Sequence, residues 1–190
     1  KGKAENLLDV WHVQNIRPWW NAGIRYQLIS SDGRYMNQKA KAYHFSLFSS
    51  YEKERIALSF FLNQNNGHFA ENGGVKDISF IIDSTNQKAE NIPVNLSSND
   101  ISNNYRNTNF QLQGQYNIGN PKEIITQKDS ATIDTTITYP MKFALALKAE
   151  DNRYSFKEES VEEGFFSDTT YISKQGNSDM IKNRKYEIDA

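Results

Sequence analysis

Hydrophobic and polar residues alternate along several stretches of the chain, most clearly between residues 43 and 63. Alternate residues of a strand point to opposite faces, so a period of two predicts β-structure with one apolar side. Because only the charged residues 52–54 separate two such runs, we predict an antiparallel hairpin. The residues predicted on its apolar face are Phe45, Leu47, Ile56, Leu58, Phe60 and Leu62.

The same alternation predicts further strands at residues 22–30, 107–118, 131–138 and 140–149, and residues 153–157 are expected to start a return strand. Residues 7–14 are a strand candidate of mixed parity, so their faces stay unassigned. Residues 107–118 show it most cleanly, because large apolar side chains on one parity face an unbroken series of amides on the other. Those amides are Asn109, Gln111, Gln113, Gln115 and Asn117. No segment shows convincing helical periodicity, so we predict an all-β, antiparallel chain of about six to eight strands.

Polar segments of two lengths separate these strands. The short ones, predicted to be tight turns, are residues 17–21, 52–54 and 150–152. The longer ones, predicted to be loops, are residues 31–41, 64–75 and 83–104, together with a loop-rich stretch at 158–190. Short turns on one side and long loops on the other are typical of an outer-membrane β-barrel, whose strands are about this long. A soluble β-sandwich remains an alternative at this point.

The net charge, the cysteine count and the mean hydropathy limit which functions the chain can have. The formal net charge is -1 with both signs scattered, which gives no electrostatic reason to expect a nucleic-acid partner. The chain has no cysteine, which excludes disulfides, thiol nucleophiles and thiolate metal sites. A mean hydropathy of -0.74 is compatible with a barrel, since half of each strand and all loops are polar.

Candidate catalytic and metal-binding residues lack the required spacing. His12, His44 and His68 have no ligand-spaced partner, and no serine lies in a Gly-x-Ser-x-Gly turn. The carboxylates fall in segments predicted to be turns or loops, where solvated charges are the usual interpretation. We therefore predict neither enzyme activity nor a metal or cofactor site.

An ordered series of segments resembles a known family. These segments are residues 15–26 (NIRPWWNAGIRY), 31–35 (SDGRY) followed by 37–39 (NQK), 71–74 (ENGG) and 107–112 (NTNFQL). Their order and spacing resemble the putative porins of the Bacteroidetes outer membrane, over most of residues 10–157. The resemblance implies a transmembrane β-barrel, of which this chain is expected to be an interior piece, in a cell outer membrane.

The resemblance also implies a function. We expect a passive channel for small solutes, surrounded by outer-membrane lipid; the alternatives are a structural barrel subunit of a secretion or assembly complex, with other envelope proteins as partners, and a soluble β-sandwich binding module. In a barrel, the polar parity of each strand is predicted to line the pore. The predicted pore-lining residues are Arg25, Gln27, His44, Ser46, Ser59, Asn109, Gln111, Gln113, Gln115, Asn117, Lys142 and Lys148.

Four short sequences are similar to the O-glycosylation acceptor pattern of Bacteroidetes envelope proteins. They begin at Asp83, Asp129, Asp134 and Asp168, and each continues with Ser or Thr. All four lie in segments predicted to be loops or edge strands, where a modifying enzyme could reach them. Chance matches are easy in a chain rich in Asp and Thr, so both interpretations stay open.

Overall fold

A computed structural model describes residues 5–82, 88–96, 101–129, 132–158 and 177–189, with backbone alone at 124–129, 132–136 and 177. Seven strands form one antiparallel sheet in the order β1-β2-β3-β4-β5-β8-β9, and β6 and β7 form a separate hairpin. The strands are β1 Glu5–Arg17, β2 Trp20–Ser31, β3 Ala40–Lys53, β4 Ile56–Ala70, β5 Ile101–Ile118, β6 Lys122–Asp129, β7 Thr132–Thr138, β8 Met141–Glu158 and β9 Asn177–Asp189. The all-β, antiparallel prediction is confirmed, and the open sheet agrees with part of a barrel.

The hairpin predicted from residues 43–63 is formed by β3 and β4. Pairing runs from Lys53 opposite Ile56 at the turn to Ala40 opposite Phe69 at the far end. Glu54, in the two-residue turn, has a φ of 53°, the positive value that tight hairpin turns require. At the neighbouring turn, between β1 and β2, Pro18 needs no ladder partner because it has no backbone N–H.

Four strands extend into segments that the sequence predicts to be loops or turns. Residues 64–70 belong to β4, 101–104 to β5, 150–152 to β8, and 177–189 form β9. The loop between β2 and β3 is likewise shortened, to residues 32–39. In these extensions both parities carry polar residues, as in Gln64 to Asn66. A strand that is polar on both faces shows no alternation of apolar and polar residues in its sequence. Such a polar run is typical of a loop, which is why these extensions were predicted to be loops or turns.

The two ends of the sheet are built differently. Two of the connections at one end, which we call the turn end, are two-residue turns. The third, between β5 and β8, contains the separate β6–β7 hairpin, so the rule of short turns fails there. At the opposite end, the loop end, β2 and β3 are joined by residues 32–39, while β4 and β5 are joined by residues 71–100.

At the loop end, residues 71–82 and 88–96 are hydrogen-bonded to each other and to the preceding loop. Ile92, Val94, Leu96 and Ile101 are each at most 5% exposed and form the hydrophobic core of the described residues. Hydrogen bonds join this segment to the preceding loop: the Asn37 amide donates to the Leu96 carbonyl (3.3 Å), and the Asn72 amide donates to the Met36 carbonyl (3.1 Å).

Within this segment, the four-residue helix α1, Ser79–Ile82, follows Asp77. A hydrogen bond from the Ser79 N–H holds the pKa of the Asp77 carboxyl below its ordinary value. Among the described residues, no helix has the length and apolar character that crossing a bilayer demands.

The proposed glycosylation sequences are only partly described. Those beginning at Asp83 and Asp168 lie outside the described residues, and the one at Asp129 runs into the gap at 130–131. Asp134 begins a sequence within β7, of which the structure describes the backbone. Modification of these positions stays a prediction.

Candidate functional site

Strand register divides the main sheet into two faces, which we name by their composition. Directly paired residues share a face, so the pairing of Leu58 with Tyr51 and Gly114 defines the band face, and the pairing of Ser59 with Gln113 defines the amide face. All twelve residues predicted to line a pore lie on the amide face, as their pairings from β1 to β9 require. The six residues predicted on the apolar side of the β3–β4 hairpin lie on the band face.

One register row crosses the whole amide face with a single residue from each strand. In order across the sheet, the row consists of Asp9, Gln27, His44, Asn65, Asn107, Asn152 and Asn183. Apart from Asp9, this amide row contains amides and one histidine. An amide side chain carries both donors and an acceptor, so neighbours in the row can satisfy one another.

Hydrogen bonds run continuously through the middle of the row. His44 Nδ1 lies 2.6 Å from Asn65 Oδ1, while its Nε2 lies 2.5 Å from Ser46 Oγ. A neutral imidazole fits this arrangement by donating from Nδ1 and accepting at Nε2. The Asn65 amide then donates to Asn107 Oδ1 at 3.1 Å, which carries the network from β4 to β5.

Asn107 is the centre of this network. Its oxygen also accepts from the Asn109 amide at 2.8 Å, and its own amide donates to Asn152 and, at 3.4 Å, to Glu150. The Asn152 amide in turn donates to Glu150 at 2.7 Å. Amides left without partners would cost free energy in a dry interior, and here they meet one another or solvent.

Charges flank the amide row at both sides of the sheet and are paired. Arg25 donates two hydrogen bonds to Asp9, at 3.0 and 2.6 Å. On β8 and β9, Lys148 lies 3.4 Å from Asp189, and Lys185 lies 2.5 Å from Glu187. These side chains are about one-third or more exposed, so the pairs balance the charge of the surface more than they stabilise the fold.

A groove of about 790 Å³ lies at the turn end of the amide face. Residues from the β1–β2 turn and from β2, β3, β4, β5, β8 and the end of β9 line it, which brings non-neighbouring strands around one space. Gln113 stands in its wall, where it accepts a hydrogen bond from the Ser59 hydroxyl at 3.3 Å.

Two glycines on the amide face are covered by aromatic rings from the next strand. A Cβ at Gly23 would lie 2.3 Å from the Phe48 ring, and one at Gly67 would lie 2.2 Å from Tyr105. An aromatic ring laid over a strand glycine restores the contacts that the missing side chain cannot make, and this pins register.

The band face carries large apolar side chains that remain exposed. Leu58 is 47%, Phe143 57% and Tyr186 71% exposed. Within the described residues, β6 and β7 contact only each other, and no second sheet covers this face. A soluble β-sandwich would bury such a face against another sheet, so the described architecture does not fit that alternative.

The apolar band runs diagonally across the hydrogen-bonded rows. One row of paired residues is apolar on the first three strands, where it consists of Leu8, Leu28 and Tyr43. The same row is polar on the next two strands, where it continues with Asn66 on β4 and Arg106 on β5. Closer to the turns, the row from Trp20 through Tyr51 and Leu58 stays apolar as far as Leu145 on β8. A band parallel to a membrane plane follows such a diagonal when the strands are tilted, as they are in barrels.

Several polar residues of the amide face were absent from the set predicted from sequence. They are Asp9, Asn63, Asn65, Asn107, Glu150, Asn152, Asn183, Lys185, Glu187 and Asp189. Most lie in the strand extensions where both parities are polar. Alternate residues of a strand share a face, so the face of a polar residue follows from the apolar part of the same strand by counting every second residue. That is the signal that sequence reasoning could have used.

Comparison with known families gives one match. A family model described as "Putative porin" matches residues 1–187, nearly the whole chain. No curated protein and no solved structure matches the chain.

Proposed function

The chain belongs to the putative porin family, and from that premise we propose that it forms part of an outer-membrane barrel through whose lumen small solutes diffuse passively. The contrast between the two faces of one sheet carries the proposal. The band face exposes apolar residues such as Leu58 that suit lipid, and the amide face carries a continuous polar network that suits water. The amide face is thus the proposed lumen wall.

The amide row supports a wet lumen. Hydrogen bonds between neighbouring side chains, such as Asn65 to Asn107, hold the row in place, while its exposed sides remain available to water. Charges of both signs lie on this wall, and some of them are paired, as Arg25 is with Asp9. A channel of this kind passes small solutes without chemical change, and the residues of the lumen wall need no catalytic arrangement.

A second function is favoured by the β6–β7 hairpin. It stands outside the main sheet at the turn end, where barrels ordinarily have short turns. Such a protruding hairpin suits a partner protein, so a structural barrel subunit of an envelope complex is the alternative proposal.

Conductance of single channels separates the two proposals. Gln113→Trp in the full-length protein places an indole in the groove on the amide face, so we expect lower single-channel conductance in planar bilayers with unchanged folding. The matched control is Leu112→Trp, the adjacent residue on the band face, which should leave conductance unchanged. Absence of channel activity in every form would end the proposal of passive diffusion and favour the structural one.

The orientation of the barrel follows from its two ends. The longer connections of the loop end are expected at the cell surface and the two-residue turns in the periplasm. Arg34→Cys, in the loop 32–39, should react with a membrane-impermeant thiol reagent on intact cells, and Lys53→Cys, beside a turn, should react only after lysis. This chain contributes no other thiol. Labelling of Lys53→Cys alone on intact cells would reverse the orientation.

A further inference from the structure

On the band face, cations gather just beyond the apolar band toward the loop end. Arg106 on β5 pairs directly with Arg153 on β8, which pairs with Lys182 on β9, so three positive side chains stand side by side in one row. Like charges directly opposite one another on neighbouring strands destabilise a sheet. An arrangement of this kind calls for a negative partner.

The described strands supply only one negative partner there. Asp151 accepts from Arg153 and from Arg184, each at 3.1 Å, and it is the one acidic side chain on the band face of the described strands. In the described part of the chain, neither Arg106 nor Lys182 has a carboxylate within ion-pair distance. Among the described residues, positive charge therefore remains in excess at this place.

A groove of about 370 Å³ opens beside two of these cations, Arg106 and Arg153. Lys41, His68, Arg106 and Arg153 line it together with Asn66 and Met180. The Nδ2 of Asn66 is buried there and has no hydrogen-bond partner among the described residues. A buried donor without an acceptor is costly, and an oxyanion in the groove would satisfy both this donor and the surrounding cations.

The position of the groove relative to the apolar band identifies the source of the anion. Phe110, in the apolar band, lies four residues from Arg106 on the same face of β5. That separation is ~13 Å along the strand and about 9 Å along the membrane normal at a tilt of ~45°. The cations thus reach the level of lipid headgroups, and Tyr43 and the exposed Met180 offer apolar contacts to the same occupant.

We propose that this groove, which we call the cation groove, binds the phosphorylated headgroup of a lipid in the outer leaflet. The inference rests on the proposed membrane placement and orientation, and it does not depend on passage of solutes through the lumen. Phosphate oxygens in the groove would accept from Arg106 and from the Asn66 amide. Lys182 does not line the groove but is paired with Arg153 in the same row, so its charge would add to the attraction for the phosphate.

Native mass spectrometry of the full-length protein tests the proposal with phosphatidic acid, phosphatidylcholine and inorganic phosphate as separate probes. We expect phosphatidic acid to be retained and phosphatidylcholine to be lost. The double variant Arg106→Gln/Lys182→Gln should bind phosphatidic acid at least about tenfold more weakly. The control Lys142→Gln removes a cation from the amide face of β8 and should leave binding within about twofold.

Asn66→Leu tests the groove without changing its charge. It removes the orphaned donor, so it should weaken retention of phosphatidic acid several-fold while leaving folding intact or improved. Retention unaffected by both the double variant and Asn66→Leu, or equal loss in Lys142→Gln, would overturn the proposal. Capture of inorganic phosphate without retention of the lipid would overturn the assignment to a lipid.

Solute flux measured in vesicles of the same preparations keeps this inference separate from the proposed channel. Flux without lipid retention contradicts the cation groove alone, and retention without flux contradicts the channel alone.

Discussion

The band face and the amide face of the main sheet differ sharply in polarity, although the same strands form both. Leu58 and Ser59 are neighbours on β4, yet Leu58 lies within an exposed apolar band and Ser59 lies on a wall of hydrogen-bonded polar groups. A soluble domain covers one of two such faces, whereas the described sheet covers neither. This difference supports the proposal that the apolar face meets lipid and the amide face meets water.

An arginine placed on each face in turn should give the largest difference in stability between the two faces. Leu58→Arg lies deep in the apolar band, where an arginine facing lipid near the bilayer midplane costs about 2–4 kcal/mol. Ser59→Arg, one residue away on the wet amide face, should change the free energy of unfolding by no more than about 0.5 kcal/mol. Folding titrations of the full-length protein into bilayers measure both values. If Ser59→Arg proves the more damaging variant, the assignment of the faces is reversed.

The next largest effect on stability is expected from the glycines of the amide face that lie beneath aromatic rings. In Gly23→Val the new Cβ would meet the Phe48 ring, so we expect a loss of about 1–3 kcal/mol from overpacking. Gly114→Ala is the control on the band face, because its Cβ would lie 3.3 Å from the movable end of the Leu58 side chain. Equal stability of the two variants in urea titrations would show that Phe48 does not need the glycine beneath it.

The amide row should show the smallest effect, because water can replace its hydrogen bonds. Asn107→Leu removes the centre of the network, and in a wet lumen we expect a loss of about 1 kcal/mol. Asn183→Leu, in the same row, has no side-chain hydrogen bond among the described residues and should cost close to nothing. A loss of several kcal/mol for Asn107→Leu would instead indicate a dry, protein-filled interior.

The fold class and the composition of the two faces could be predicted from the sequence alone. Alternation in residues 43–63 and 107–118 predicted which parity is apolar, and the structure places Leu58 and Gln113 on the opposite faces so predicted. This prediction succeeded because successive side chains of a strand point to opposite faces, so an apolar face and a polar face appear in the sequence as alternation. The family resemblance was likewise contained in the order of short segments, and the family match confirms it.

How far the strands continue and which residues are neighbours across the sheet became known only from the three-dimensional structure. β4, β5 and β8 extend beyond the apolar band, where polar residues on both parities remove the contrast that sequence analysis needs. β9 pairs with β8 on the side away from β5, and this pairing places Lys182 beside Arg153. Register between strands distant in sequence depends on backbone pairing across the whole sheet, and no local pattern encodes it. The amide row and the cation groove therefore emerged only when the strands were aligned.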